Sequence, residues 1–461
     1  MSADSIGLRV LRALDVDRRE VPALAWSFAY FFLVLAAYYV LRPIRDEMGV
    51  LGGVRNLAWL FTGTLIGTLL LHPLYTWLVS RLTRARFIAY TYRFFIANLI
   101  GFYVLFSMVQ GAGDASRDEV WVGRLFFIWV SVFNLFVVSV FWSYMTDVYR
   151  PAQGKRLFGV IAVGGTLGAL GGSSVTAVLV EWLGAFNLML LSALLLELAA
   201  RSARRLGRYQ EQLNEAERVH DAPVPAVGLL DAAAPSAILD GVRSRQDERV
   251  IGGGVLDGIS HVLKSPYLLG IAALMLLFTI ASTFLYFQRM DIVAREFADD
   301  SVARVRLFGT IDAATNLLTL LTQLFLTGRL LRWLGVGFGL AFLPAVSLIG
   351  FAGLGMAPVL WVVVAFEVIR RAGNFALARP AREVLYTVMS RSDRYKAKNF
   401  NDTFVYRLGD QIGSWSYTAM GWLGLGMSGL ALTMVPVSLV WVVLALWLAR
   451  QYNRKAAKPP E

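Results

Sequence analysis

About twelve apolar stretches, each near the length a helix needs to cross a bilayer, dominate this 461-residue chain. They run over residues 22–41, 57–79, 87–109, 120–144, 157–180 and 185–200, then 267–287, 307–325, 335–355, 358–378, 400–423 and 429–449. With no water in a bilayer core, every backbone polar group there must bond within its own segment, so such stretches fold as helices. The chain is 57% hydrophobic and only 16% charged. Soluble domains carry about 25% charged residues. A polytopic all-α membrane protein is the reading that accommodates both facts.

Composition narrows the chemistry. Cysteine is absent and there are three histidines, two of them in the long central segment, so no metal site, histidine-based catalytic triad or resident cofactor is expected. Walker, kinase and hydrolase motifs are missing, which argues against an enzyme. The formal charge of +12 is read as cytoplasmic arginine rather than as a nucleic-acid footprint.

The arginines orient the chain. Arg81, Arg84 and Arg86 follow the second stretch; Arg150, Lys155 and Arg156 the fourth; Arg329 and Arg332 the eighth; Arg391, Arg394, Lys396 and Lys398 the tenth. Together with basic residues in the central loop and after the last stretch, they place both termini on the cytoplasmic side of the membrane, with lipid as the surrounding partner. Ile6, Val10 and Leu14 suggest a short interfacial helix within segment 1–20.

The two sets of six stretches look like a diverged repeat. Arg81-Leu82-Thr83-Arg84 and Arg329-Leu330-Leu331-Arg332 follow equivalent stretches, and nearly the same offset relates Arg42 to Arg289. Lys155 and Lys396 both precede a glycine-containing stretch. The expected plan is a six-helix half over 21–200, a cytoplasmic loop over 201–266 with a short polar helix near 206–219, a second half over 267–449 and a tail over 450–461. Two six-helix halves about an axis along the membrane normal form a major-facilitator-like fold. A monomer is expected.

The functional signal is charge at membrane depth. An ionisable side chain there costs about 2.5–3.5 kcal/mol on insertion scales, so it faces a partner or a wet pathway. Asp312, Asn316, Thr319 and Gln323 share one face of the eighth stretch. Glu367, Arg370 and Arg371 lie together on the tenth, where one carboxylate cannot neutralise two guanidiniums; Asp410 and Asp312 are candidate partners. Arg407 and Asp410 lie together on the eleventh, and Asp410 or Glu367 could carry a proton. Arg42 and Arg45 head one charge cluster and Arg289 another, each preceded by aromatic residues (Tyr38, Tyr39, Tyr286, Phe287) that read as an interface belt. Gly164, Gly168 and Gly172 read as a close helix contact.

Several motifs resemble the ATP/ADP antiporter family of intracellular bacteria and plastids. Leu41-Arg42-Pro43-Ile44-Arg45-Asp46 is similar to its Leu-Arg-Asp-x-Lys-Asp signature. Arg379-Pro380-Ala381-Arg382-Glu383-Val384-Leu385-Tyr386 is similar to its Asp-Pro-x-Lys-Glu-x-x-Tyr segment, and Lys396-Ala397-Lys398 with Asp402 to its Lys-x-Lys-x-x-x-Asp segment. Gly154-Lys155-Arg156-Leu157-Phe158 resembles the Ala-Lys-Arg-Phe stretch before its fifth span. The resemblance implies a major-facilitator-like carrier, in a bacterial inner membrane, of a small anionic solute, ATP or ADP among the candidates, with Arg45, Arg382, Glu383, Lys396 and Lys398 on the family's signature positions. The chain departs from the family at Asp410, where a lysine is expected, at Arg379, where an aspartate is expected, and in the fourth span, where Asn134 is the strong polar group. A proton-coupled carrier or exporter of another organic solute, and a non-transporting membrane sensor or scaffold, are the alternatives.

Overall fold

The computed structural model describes residues 16, 20–81, 84–109, 117–149, 151–220, 265–389, 397–398 and 400–457. The proposed interfacial helix near Ile6, most of the central loop and Lys396 lie outside the described residues. Every regular element among the described residues is helical. The first half comprises α1 (Val21–Leu51), α2 (Leu57–Arg81), α3 (Arg84–Val109), α4 (Arg117–Val148), α5 (Pro151–Leu183) and α6 (Ala185–His220). The second comprises α7 (Pro266–Glu296), α8 (Ser301–Phe325), α9 (Thr327–Met356), α10 (Leu360–Gly373), α11 (Tyr406–Trp422) and α12 (Met427–Ala456). This is a polytopic all-α fold of the major-facilitator kind.

Local chemistry sets the helix starts. Ser265 caps α7 by accepting from the Leu268 amide, and Pro266 at the first helical position lacks the amide hydrogen that would go unpaired there. Asp300 caps α8, its carboxylate accepting from the Ala303 amide at 2.8 Å. The turns into α6 and α12 each use a glycine in the left-handed region, Gly184 at φ 75° and Gly424 at φ 87°. Those two glycines hold the same place in each half.

Packing repeats the same rule. A side chain at Gly168 of α5 would bring its Cβ to 2.1 Å from the Phe32 carbonyl of α1, and one at Gly172 to 2.3 Å from that of Ala36. In the second half a Cβ at Gly409 of α11 would lie 1.8 Å from the Thr279 hydroxyl of α7. The fifth helix of each half therefore lies directly on the first, against its backbone at Gly168 and Gly172 and against the Thr279 side chain at Gly409. Each half has its own aromatic and aliphatic core, with Tyr30, Phe133 and Phe141 in one and Phe284, Phe287 and Trp441 in the other. The outward faces stay apolar: Met108, Trp182, Trp333 and Leu423 are all at least three-quarters exposed. A surface of that kind suits lipid rather than water.

Three differences from the sequence expectation stand out. The polar stretch expected as a separate helix near 206–219 continues α6 to His220, so the boundary near residue 200 falls inside a helix. Nine helices among the described residues are long and apolar enough to span a bilayer; α8, α10 and α11 are not among them. The regular part of α10 stops after Gly373, passes through a π-helical turn at Asn374–Ala378 and resumes as the short helix Arg379–Leu385. A second π turn, Asn401–Val405, leads into α11. An apolar count cannot reveal such turns, because they rearrange backbone hydrogen bonds without requiring a distinctive residue. They recur at functional sites.

A candidate solute site between the two halves

The last two turns of α1 begin the site. Pro43 breaks the regular helical bonding there, and Arg42, Arg45, Asp46 and Glu47 follow one another around the helix. Asp46 accepts from Arg45 (2.5 Å), from the Tyr286 hydroxyl (3.1 Å) and from Arg289 on α7 (2.8 Å). Arg289 is fully buried and donates its other Nη to Glu367 of α10 at 3.0 Å. Arg371, one turn along α10, reaches Glu367 at 3.3 Å and Asp312 of α8 at 2.7 Å. Arg42 closes the chain of charges with an ion pair of 2.9 Å to that same Asp312 oxygen.

The result is one continuous seam, Arg45–Asp46–Arg289–Glu367–Arg371–Asp312–Arg42, which ties α1 of the first half to α7, α10 and α8 of the second. A separate pair, Glu47 with Arg304 of α8, is bidentate at 2.6 and 2.7 Å, and Arg304 also donates to the carbonyl of Ala298 at 2.8 Å. Further inter-half contacts among the described residues join Glu181 to Arg306, and Thr62 of α2 to Gln411 and Trp415 of α11. All of these lie at or beyond the middle of the bundle, away from the end that holds the start of α1 and the end of α12.

The sites expected from sequence separate into three groups. Arg42, Arg45, Asp312, Glu367 and Arg371 come together in the seam. Of the two partners expected for α10, Asp312 is the one that pairs. Asp410 instead lies 3.6 Å from Arg407, with the Thr283 hydroxyl at 3.5 Å. Glu383 and Lys398 pair with each other at 2.6 Å on the far side of the π turns, and Arg382 lines a small cavity with Asn374, Phe278 and Trp441. Of the polar face on α8, Asp312, Asn316 and Thr319 are buried, whereas Gln323 is exposed and bonds to the Phe375 carbonyl.

Arg370 solves its charge problem without a carboxylate. It is buried and donates to the hydroxyls of Ser347 and Ser282 at 3.0 Å and to the Phe278 carbonyl at 3.1 Å, beneath the rings of Phe278 and Trp441. Of the aromatics expected at a lipid interface, Tyr38 and Phe287 are buried, the Tyr286 hydroxyl bonds to Asp46, and Tyr39 is half-buried. An aromatic residue beside an arginine cluster has the same local sequence in either setting. Arg304 was the residue least visible in advance. It sits in the first turn after the Asp300 cap, where a basic residue reads as a loop charge.

Among the described residues no cluster of His, Asp or Glu could hold a metal ion. No family profile matches the chain, and no curated protein matches it. Solved structures do match. One is a bacterial homologue of the iron transporter ferroportin in an inward-facing state, at 13% identity, covering 95% of this chain and 99% of that one, with a TM-score of 0.60. Another is a POT family transporter in complex with 5-aminolevulinic acid, at 13% identity, covering 94% and 96%, with a TM-score of 0.56. The fold is therefore that of major-facilitator-like membrane transporters of known structure. Identities this low carry the fold and nothing finer. The resemblance to ATP/ADP antiporters rests on the quoted motifs alone.

Proposed function

We propose that the protein moves an anionic organic solute across a bacterial inner membrane by alternating access, with both termini in the cytoplasm. The observation that carries this reading is the charge imbalance of the seam. Four guanidiniums (Arg42, Arg45, Arg289, Arg371) meet three carboxylates (Asp46, Asp312, Glu367), and Arg370 nearby has no carboxylate at all. Uncompensated positive charge at membrane depth is costly unless something negative visits it. Guanidinium forks suit phosphate and carboxylate oxygens, and bind them bidentately.

Contacts between the halves give the alternating step its physical form. The seam, the Glu47–Arg304 pair and the Thr62–Gln411 bond hold the halves together on one side of the middle. Those bonds have to part before the solute can leave on that side. The linker between α6 and α7 serves as a tether in this scheme rather than as a binding site.

A thermal-shift screen against nucleotides, phosphorylated sugars and carboxylates tests the reading, followed by uptake of each hit into proteoliposomes. A ligand at a hundred times its Kd stabilises by about 2.7 kcal/mol through mass action. Shifts confined to cations or neutral solutes would sink it. Shifts from ATP and ADP that compete with one another would favour the nucleotide-exchange reading carried by Arg45, Arg382 and Lys398. The loose Arg407–Asp410 pair favours a second reading, proton-coupled transport through Asp410. Gradient-driven uptake that disappears in Asp410→Asn would support it.

A further inference from the structure

Asp312 and Glu367 each take two guanidiniums on one oxygen and leave the other buried without a hydrogen-bond partner among the described residues, but of these two only Asp312 joins guanidiniums from opposite halves that are both partly accessible. Two guanidiniums from opposite halves, Arg42 at 2.9 Å and Arg371 at 2.7 Å, converge on its Oδ1 alone. Its Oδ2 is buried and has no hydrogen-bond partner among the described residues. Glu47, by contrast, engages Arg304 through both of its oxygens. The arginines are also the accessible members of the trio. Their side chains are 14% and 15% exposed against 2% for Asp312, so an arriving anion meets the guanidiniums first.

A second observation concerns where Asp312 could go. Asn316 lies one turn further along α8, buried, and its Nδ2 donates to nothing among the described residues. The hydroxyl of Thr315, fully buried, is likewise unpartnered. Buried donors left without acceptors cost about 1–3 kcal/mol each, so two of them beside an orphaned carboxylate oxygen call for an explanation. At i+3 and i+4 both are within reach of the Asp312 carboxylate.

We infer that Asp312 is a built-in stand-in for the solute's anionic group. It occupies the Arg42–Arg371 clamp when solute is absent and swings to Asn316 and Thr315 when solute arrives. Donor geometry then indicates the ligand class. With Asp312 swung away, Arg42 has no carboxylate and Arg371 keeps only its longer contact to Glu367 at 3.3 Å, so two guanidinium forks face the vacated place and can engage the three oxygens of a phosphoryl group more fully than the two of a carboxylate. Removing an acid should therefore strengthen binding at this site. A purely structural Asp312 predicts the reverse. The inference rests on the anionic-solute reading but can fail separately from it.

The test measures inorganic phosphate and acetate binding to the full-length protein in detergent by calorimetry. Asp312→Asn should tighten phosphate at least about tenfold, roughly one charge-assisted hydrogen bond. Acetate should gain far less, and Arg371→Gln or Arg42→Gln in the same background should abolish the phosphate gain. Asn316→Leu supplies an independent arm should the amide variant fail to fold. It removes the resting place of Asp312 and should weaken phosphate binding in the wild-type background. Phosphate binding unchanged in Asp312→Asn, a gain that survives Arg371→Gln or Arg42→Gln, or wild-type affinity in Asn316→Leu would overturn the stand-in. If an anion is transported and Asp312→Asn gains nothing, the stand-in falls and the transport reading survives. If no anion is transported yet the phosphate gain appears, the transport reading falls and the clamp survives.

Discussion

Arg42 and Arg289 hold matched places in the two halves, near the end of the first helix of each, yet their surroundings differ. Arg289 is fully buried, bonded to two carboxylates on two helices, and sandwiched against Tyr286 and Phe308. Arg42 is partly accessible, shares one carboxylate oxygen with Arg371, and lies over the Tyr39 ring. One position has become a strut and the other a contact point. The same division runs through the halves. The first contributes six helices apolar enough to span a bilayer and meets its internal polar needs with hydroxyl pairs such as Ser27–Tyr149 and Tyr30–Tyr92. The second contains the three helices that do not meet that length and apolarity, α10 and α11 being short segments next to the two π turns. Both copies feed the seam, the first through the end of α1 and the second through α7, α8 and α10.

The largest effect should come from removing the strut. Arg289→Ala leaves Asp46 and Glu367 buried with one cation fewer each, and breaking a buried pair this way costs about 3–5 kcal/mol. Denaturant unfolding in detergent measures it. A loss no larger for Arg289→Ala than for Arg42→Ala would erase the distinction between the two sites.

Next come the packing glycines, where the halves should behave alike. Gly168→Leu and Gly409→Leu each push a side chain into the opposing helix and should cost about 1–3 kcal/mol or more. Gly101→Leu, with no atom within 4 Å of an added Cβ, should be close to neutral in the same denaturant unfolding assay. Unequal penalties at Gly168 and Gly409 would mean that the two halves are not packed by one rule.

Arg42→Ala should cost less stability, about 1 kcal/mol, because Asp312 keeps Arg371. Its signature is functional: solute uptake should fall by more than tenfold while Tm barely moves. The smallest effect belongs to Glu383 and Lys398. Their side chains are about two-fifths exposed (42% and 41%), and ion pairs of that kind are worth about 0–1 kcal/mol. Lys398→Ala should therefore leave unfolding nearly unchanged, and any loss of uptake in it would point to a direct role for the resembling motif.

Much of this was legible in the chain itself. Apolar length gave the helices, and the offset relating Arg42 to Arg289 gave the matched halves. Charges at membrane depth marked Asp312, Glu367 and Arg371, because so few side chains are tolerated there. Pairing was not legible. Whether Arg371 meets Asp312 or Asp410 depends on how α8, α10 and α11 rotate about their axes, and no local pattern encodes that. Arg370 looked like surplus charge because serine hydroxyls on two other helices, Ser282 and Ser347, carry no signal of their own. The pairing of Glu47 with Arg304 was hidden for a different reason: a charge near a helix end is ordinary in isolation and becomes informative only when its partner lies across the interface.

Counterflow in proteoliposomes tests the central claim most directly. Vesicles containing the wild-type protein and loaded with an unlabelled anion from the binding screen are given a trace of the same anion, labelled, outside. The account predicts transient accumulation of label that is lost in Arg371→Gln and Arg42→Ala despite normal insertion. Full counterflow in both variants, or none with any anion in the wild type, would contradict it.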